Sequence, residues 1–361
     1  MINIRNHQSV FILFLIGFLF LVGCDQSTSN RTVKQEFTDD PIQPGVLVRA
    51  EENSDSSSFP AINDGGYIAY GCGQNVLTSL CVIHANGSGK RLIDRATSNT
   101  DNNWMPAINN EGTIAYICET GKDIFSLCLS DIEASAVKVL DRTSGEGEVK
   151  WSPAINNLGQ IAYLCGANGQ NNLCVIHADG SGKKTLASVG DVVAFPAIND
   201  EGVIVYECGT QGIASLCIIH ADGSDQRILD EAEGFDHQNT HPSINNHGVV
   251  AYECATNSLP SLCVIHADGS GGSVLDTASR LGEHKTRPNI NDNGLISYEC
   301  ADARIVSLCT IQADGAQKTI VDAASGSSEE KSFPMLNNVG TVVYLCETEA
   351  FDSLCVTEIE N

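Results

Sequence analysis

Short apolar runs recur from about residue 46 to the end of the chain, separated by clusters of Asn, Asp, Gly and Ser. None keeps a 3.6-residue period long enough for a helix; the alternation is that of half-buried strands. The pattern, with segments quoted from several units, is the same in each. "PAIN" is too short for a helix and opens on a proline that needs no ladder donor. An Asn-rich turn ending in Gly follows, a strong hairpin signal. Then comes "xIAYxC", with Ile, Tyr and Cys on one face. "SLCVIHA" reads as a third strand, "ADGSG" as another tight turn, and "KRLID" as a fourth strand.

The unit repeats seven times. Its prolines are Pro60, Pro106, Pro153, Pro196, Pro242, Pro288 and Pro334, at spacings of 46, 47, 43, 46, 46 and 46. Seven of the ten prolines hold this position, and seven of the eight tyrosines hold another, Tyr70 to Tyr344. Four strands in a unit of about 46 residues is the layout of propeller blades. The last unit stops at "LCVTEIEN", after its third strand, while "GVLVRA" aligns with the fourth strands of other units. The expectation is therefore an all-β, seven-bladed β-propeller over residues 45–361. An N-terminal outer strand, Val46–Ala50, completes the last blade and leaves no orphan edge.

Each unit also carries one Cys in its second strand and one in its third: Cys72 and Cys81, Cys118 and Cys128, Cys165 and Cys174, Cys208 and Cys217, Cys254 and Cys263, Cys300 and Cys309, Cys346 and Cys355. A zinc site needs clustered ligands such as a CxxC, which is absent. A redox pair is expected once rather than seven times. Opposed Cα atoms of antiparallel strands lie about 4.5–5.5 Å apart, within disulfide reach. One hairpin disulfide per blade is the reading, and oxidised pairs imply export from the cytosol.

The fifteenth cysteine is Cys24. Residues 1–23 have one arginine, Arg5, and then an apolar run too short for a comfortable membrane span, the layout of a secretory signal. The run ends in Leu21, Val22, Gly23 and Cys24, which resembles the bacterial lipoprotein signal box. The resemblance implies cleavage before Cys24 and lipidation of its thiol. Residues 24–44 are polar and end in prolines, and are read as a flexible lipid-anchored tether. The expected location is the cell envelope, on a bacterial membrane and facing the periplasm or exterior.

The repeats resemble two families. "IAY" at 161–163 and "HADGSG" at 177–182 are similar to the TolB-like propeller repeat. "NNLGQIAYLC" at 156–165 resembles the tandem Asn-x-x-Gly-x-x-Ala-Phe-x-Ala repeats of bacterial surface-anchored proteins, with Tyr for Phe and Cys for the last Ala. Together they cover all seven units and imply a propeller. The Ser-Pro-Asp of the TolB-like motif is absent.

No catalytic signature, P-loop or nucleophile elbow is present. His84, His177, His220 and His266 share one repeat position on different blades, too far apart to share an ion, so no metal or other cofactor is expected. The net charge is −25, and −26 without Arg5 (19 cations against 45 acids). That disfavours nucleic acid and anionic headgroups. The lipid anchor is the only membrane contact expected, and the chain is expected to be a monomer. Turn acids such as Asp64, Asp200, Asp292, Asp179, Asp222 and Asp268 should share one face, with scope for weak divalent-cation binding.

The connections between blades are the least repetitive segments, and variable loops on a rigid scaffold are where binding resides. Just before each repeat proline stands a large or cationic side chain: Phe59, Trp104, Trp151, Phe195, His241, Arg287 and Phe333. These are expected to ring the mouth of the central funnel and to grip an envelope protein or glycan. A non-catalytic recognition module is the first reading; a propeller hydrolase or lyase acting on polysaccharide or peptide is the alternative.

Overall fold

A computed structural model describes residues 45–50, 56–74, 77–98, 100–143, 148–167, 170–187, 192–256, 258–348 and 351–359. Cys24 and the segments expected to be a signal and a tether lie outside them. Among the described residues, twenty-eight strands form seven four-stranded antiparallel sheets, each consecutive in sequence except one. In blade 1 the strands run β2 (Ser56–Ile62), β3 (Tyr67–Gln74), β4 (Leu77–His84) and β5 (Arg91–Asp94). The exception is blade 7, whose outer strand is β1 (Val46–Val48), paired as Val46↔Cys355 and Val48↔Leu354. Ala50 N–H donates to Ser353 Oγ at 2.9 Å, the bond that Ala96 makes to Ser79 within blade 1. The expected seven-bladed propeller and its closure are present.

Both faces of each blade are buried. On one face of blade 1, Ile68, Tyr70, Cys81 and Ile83 pack against Val343, Leu345 and Leu354 of blade 7. On the other, Ala69, Leu80 and Val82 pack against Ile114 and Tyr116 of blade 2. Large and small side chains therefore interdigitate from blade to blade, as a wedge-shaped ring requires. Buried tyrosine hydroxyls find partners in the preceding blade: Tyr116 donates to Asp94, Tyr163 to Asp141, Tyr252 to Asp230, Tyr298 to Asp276 and Tyr344 to Asp322, at 2.7–2.8 Å. Blade 3 has Ala187 where these aspartates stand, and Gln226 contacts Tyr206 instead.

All seven intrablade disulfides are formed, each with Cα atoms 5.8 Å apart. The bonded cysteines are not directly opposed across the ladder. Cys72 faces Ser79 and Cys81 faces Tyr70, so the bridge runs diagonally. Strand twist shortens one diagonal of the ladder, and that diagonal carries the bridge. A shell of seven disulfides fits an envelope or extracellular protein.

The first strands are innermost, joined around the axis by two closed belts. In the first, the side-chain amide of each turn asparagine donates to the backbone carbonyl of the next blade's: Asn63 to Asn109, and so on to Asn337, which returns to Asn63, at 2.9–3.2 Å. In the second, the following residue's N–H donates to the next blade's side-chain Oδ1, from Asp64 round to Asn338 and back, at 2.8–2.9 Å. Hairpin chemistry alone does not demand "INN" or "IND"; closing the ring does.

Candidate binding site

The seven residues immediately before the repeat prolines all have positive φ: Phe59, Met105, Ser152, Phe195, His241, Arg287 and Phe333, at 43–53°. The ladder explains why. Ser58 pairs with Gly71 and Ala61 with Ala69, so Phe59 and Pro60 together face Tyr70 alone. This is a β-bulge, and the proline fits it because it has no N–H to place in the ladder. The first strand of each blade thus begins three or four residues before the proline rather than on it. A non-glycine residue at such φ costs about 1–3 kcal/mol and must be held by its surroundings.

Five of the seven residues read from the sequence occupy this bulge and meet across blades. Phe59 and Phe333 make an edge contact with centroids 5.3 Å apart, and the Arg287 guanidinium lies 4.2 Å from the Phe333 centroid. Phe195 and His241 are 4.4 Å apart. Trp104 and Trp151 stand one residue earlier, within the ladder opposite Ile117 and Leu164. They meet Phe125 at 5.4 and 6.0 Å in the wall between blades 2 and 3, against a buried core cluster. Met105 and Ser152 take the bulge there, in contact with each other at 3.9 Å.

The residue after each repeat tyrosine reads Gly71, Ile117, Leu164, Glu207, Glu253, Glu299 and Leu345. Only blades 4 to 6 bury a carboxylate here. Each glutamate accepts the strained N–H of the next blade's bulge: His241 N–H to Glu207 at 2.8 Å, Arg287 N–H to Glu253 at 2.7 Å, Phe333 N–H to Glu299 at 2.9 Å. Thr240 and Thr286 hydroxyls donate to Glu253 and Glu299. Arg287 Nη1 bridges both oxygens of Glu299 at 2.7 and 2.9 Å. His241 Nδ1 lies 3.1 Å from Glu253 and 4.0 Å from Glu207, an ion pair whose angle is too poor for a hydrogen bond.

Protonation follows from this packing. Burial pushes Glu207 up to about 6, with His241 pulling the other way. Burial opposes ionisation of Glu253 too, but His241 and the Arg287 N–H win and hold it below the usual carboxylate range. His241 is disfavoured as a cation by burial, yet Glu253 and Glu207 outweigh that and raise it. His284 is lowered by burial. Glu253, His241 and His284 border a cavity of about 410 Å³ between blades 5 and 6, walled by Leu259, Pro260 and Leu281 and reached also by Arg287; Glu207 stands behind His241. "YEC" in three consecutive units was the sequence signal for it.

The opposite end of the axis is a polar cavity of about 170 Å³ lined by the two belts. Its acids are engaged: the Asp64, Asp200 and Asp292 carboxylates accept amide donors from Asn110, Asn157, Asn246 and Asn338. Asp179, Asp222, Asp268 and Asp314 cap their own turns at 2.7–2.8 Å. Among the described residues, no three His, Cys, Asp or Glu side chains gather in a metal-ligating group.

The chain resembles solved propellers over most of its length. An oligogalacturonate lyase in complex with manganese shares 11% identity, with 88% of this chain and 93% of that one covered, at a TM-score of 0.67. The likeness is one of fold. A puromycin-hydrolyzing peptidase of Mycobacterium tuberculosis gives 11% identity and a TM-score of 0.66, this chain covered to 88% and spanning 55% of that one. TolB from Acinetobacter baumannii gives 13% identity and a TM-score of 0.50, with coverage of 68% and 61%. No protein-family profile and no curated protein matches the sequence.

Proposed function

We propose that this protein is an envelope lipoprotein, anchored through Cys24, whose propeller is a non-catalytic recognition module for a protein or glycan partner. The partner docks at the mouth over blades 4 to 6. One observation carries this reading. Seven blades have the same structural task, and four of them accomplish it with Gly71, Ile117, Leu164 and Leu345. The fold therefore does not need Glu207, Glu253 and Glu299, and burying a carboxylate costs several kcal/mol unless it is paired. Glu253 and Glu299 line the 410 Å³ cavity, and Glu207 holds the N–H of His241, which lines it too. The disulfides and the Leu-Val-Gly-Cys box support the location.

The test is a photo-crosslinking side chain in place of Leu281, beside the cavity, and separately in place of Ser327, the same repeat position one connection later. In the bacterial envelope, a protein or glycan adduct is expected from position 281 and none from 327. Equal labelling, or none at 281, overturns the site.

A hydrolase or lyase acting on polysaccharide or peptide has one observation in its favour. A histidine stands between two carboxylates, one with its pKa near 6, beside a cavity, and such groups suit proton transfer near neutral pH. Turnover of oligogalacturonate or a peptide mixture, abolished by His241→Ala, supports that reading; no turnover removes it for those substrates.

A further inference from the structure

The cavity between blades 5 and 6 has a chemical polarity that selects among partners. Its carboxylates are occupied from within. Glu299 Oε1 takes Arg287 Nη1 and the Phe333 N–H, and Oε2 takes Thr286 and Nη1 again. Glu253 takes the Arg287 N–H and the Thr240 hydroxyl, and His241 Nδ1 stands 3.1 Å away as an ion-pair partner. Glu283 takes the Ser279 N–H and hydroxyl and Arg280 Nε. The side chains of Glu253 and Glu299 are only 11% and 3% exposed, whereas His241 and Arg287 are each 33% exposed. A guanidinium carries five N–H donors and a protonated imidazole two. Among the described residues, Arg287 Nη2 and Nε and His241 Nε2 have no protein acceptor. The capacity left over at this mouth is donor capacity, on cationic groups, so it fits an anion although the chain as a whole is acidic.

The walls add a second requirement. Leu259, Pro260 and Leu281 are aliphatic, and among the described residues no Trp, Tyr or Phe lines the cavity to give a sugar ring a stacking surface. Leu281 is 95% exposed, and Phe235, at the same repeat position one connection earlier, is 65% exposed. Leu281 is held outward: Arg280 beside it pairs with both oxygens of Asp302 at 2.7 and 2.6 Å and with Glu283 at 2.9 Å. Contiguous exposed apolar surface marks an interaction site, and Leu281 continues the apolar wall of Leu259 and Pro260.

We infer that this cavity receives an acidic peptide segment, its carboxylate on Arg287 and His241 and an adjacent apolar side chain against Leu259, Pro260 and Leu281. The inference rests on the proposed role of the blade 4–6 mouth and narrows it from protein or glycan to peptide. Bidentate guanidinium–carboxylate pairing gives such a contact both direction and strength.

The experiment is selection of random heptapeptides displayed on phage against the folded, oxidised protein, with a selected sequence then synthesised and titrated by fluorescence anisotropy. Enrichment of Asp or Glu next to Leu, Ile, Met or Phe is expected. Two variants borrow residues from the protein's own blade 7, so they suit the fold. Arg287→Phe with Glu299→Leu reproduces Phe333 and Leu345, and Leu281→Ser reproduces Ser327. Unfolding curves verify that both are folded. Each should weaken peptide binding tenfold or more, and Glu111→Ala on the belt face should leave it unchanged. Basic or uncharged winners, no enrichment, or acidic winners indifferent to both variants overturn the inference. A glycan adduct at position 281 overturns it while leaving the mouth as the binding site; absence of any adduct there takes down both.

Discussion

Glu207→Leu tests the charge arrangement at the mouth through stability alone. The substitution installs the residue that blades 3 and 7 carry at this position, Leu164 and Leu345, so the cavity tolerates the shape. In the native chain burial pushes the Glu207 carboxyl from 4.5 to about 6. A raised carboxyl means the folded state binds its proton more tightly than the unfolded chain does. Its stability contribution is therefore present at low pH and lost as pH rises from about 4.5 through about 6, amounting to about 2 kcal/mol. His241 acts in the same direction. Its folded pKa is raised, so its contribution is full below 6.5 and lost as pH climbs through the higher value. Glu253 is lowered and acts only below about 4.5, as pH falls through its folded value. Between pH 5 and pH 8 the wild type should thus lose stability with rising pH. The variant forfeits the His241 N–H bond at every pH, about 1–3 kcal/mol, and regains about 1.5–3 kcal/mol from leucine burial. At pH 5 the two proteins should be within about 1 kcal/mol; by pH 8 the variant should have gained about 1 kcal/mol on the wild type, because at pH 5 part of the Glu207 contribution is already lost. Denaturant unfolding of the oxidised protein, followed by tryptophan fluorescence at the two pH values, measures this. Parallel pH profiles for wild type and variant would refute the placement of an ionising carboxyl at this position.

Other outcomes follow from the same geometry. Asn337→Ala removes the amide that joins blade 7 to the Asn63 carbonyl and orphans the Thr341 N–H; unfolding should show a loss of about 1–3 kcal/mol. Replacing Trp104 and Trp151 with alanine should lower stability by several kcal/mol, because both pack with Phe125 in the wall between blades 2 and 3 and large-to-small changes in such sites cost about 3–5 kcal/mol each; an unchanged unfolding midpoint with lost partner capture would return these residues to the binding surface. Deleting residues 1–50 strips the outer strand from blade 7 and exposes a strand edge, and light scattering should report association. Acidic-peptide affinity should fall as pH rises through the raised pKa of His241, while Glu207, Glu253 and Arg287 set where that happens. A flat profile from pH 5 to 8 would leave Arg287 as the sole anchor.

The sequence by itself determined the blade. Period-two alternation, seven aligned prolines and tyrosines and fourteen paired cysteines are local signals, each legible within one repeat, and the truncated last unit showed where the ring closes. Folding placed them as their spacing required because a disulfide or a hairpin links residues close in the chain. What lies between blades was decided only in three dimensions. The turn asparagines read as hairpin chemistry, yet their amides bond carbonyls mostly 43–47 residues away, and 274 away for Asn337. The residues before the prolines read as one ring, but a bulge shifts the register, so Trp104 and Trp151 fall into the ladder while Met105 and Ser152 take the turn-out. Glu207, Glu253 and Glu299 looked like ordinary members of an acidic chain. Their burial, and the next blade's strained N–H groups that they hold, exist only once neighbouring blades meet. Strand periodicity specifies which face a side chain takes. It does not specify which charge on the adjoining blade will stand opposite.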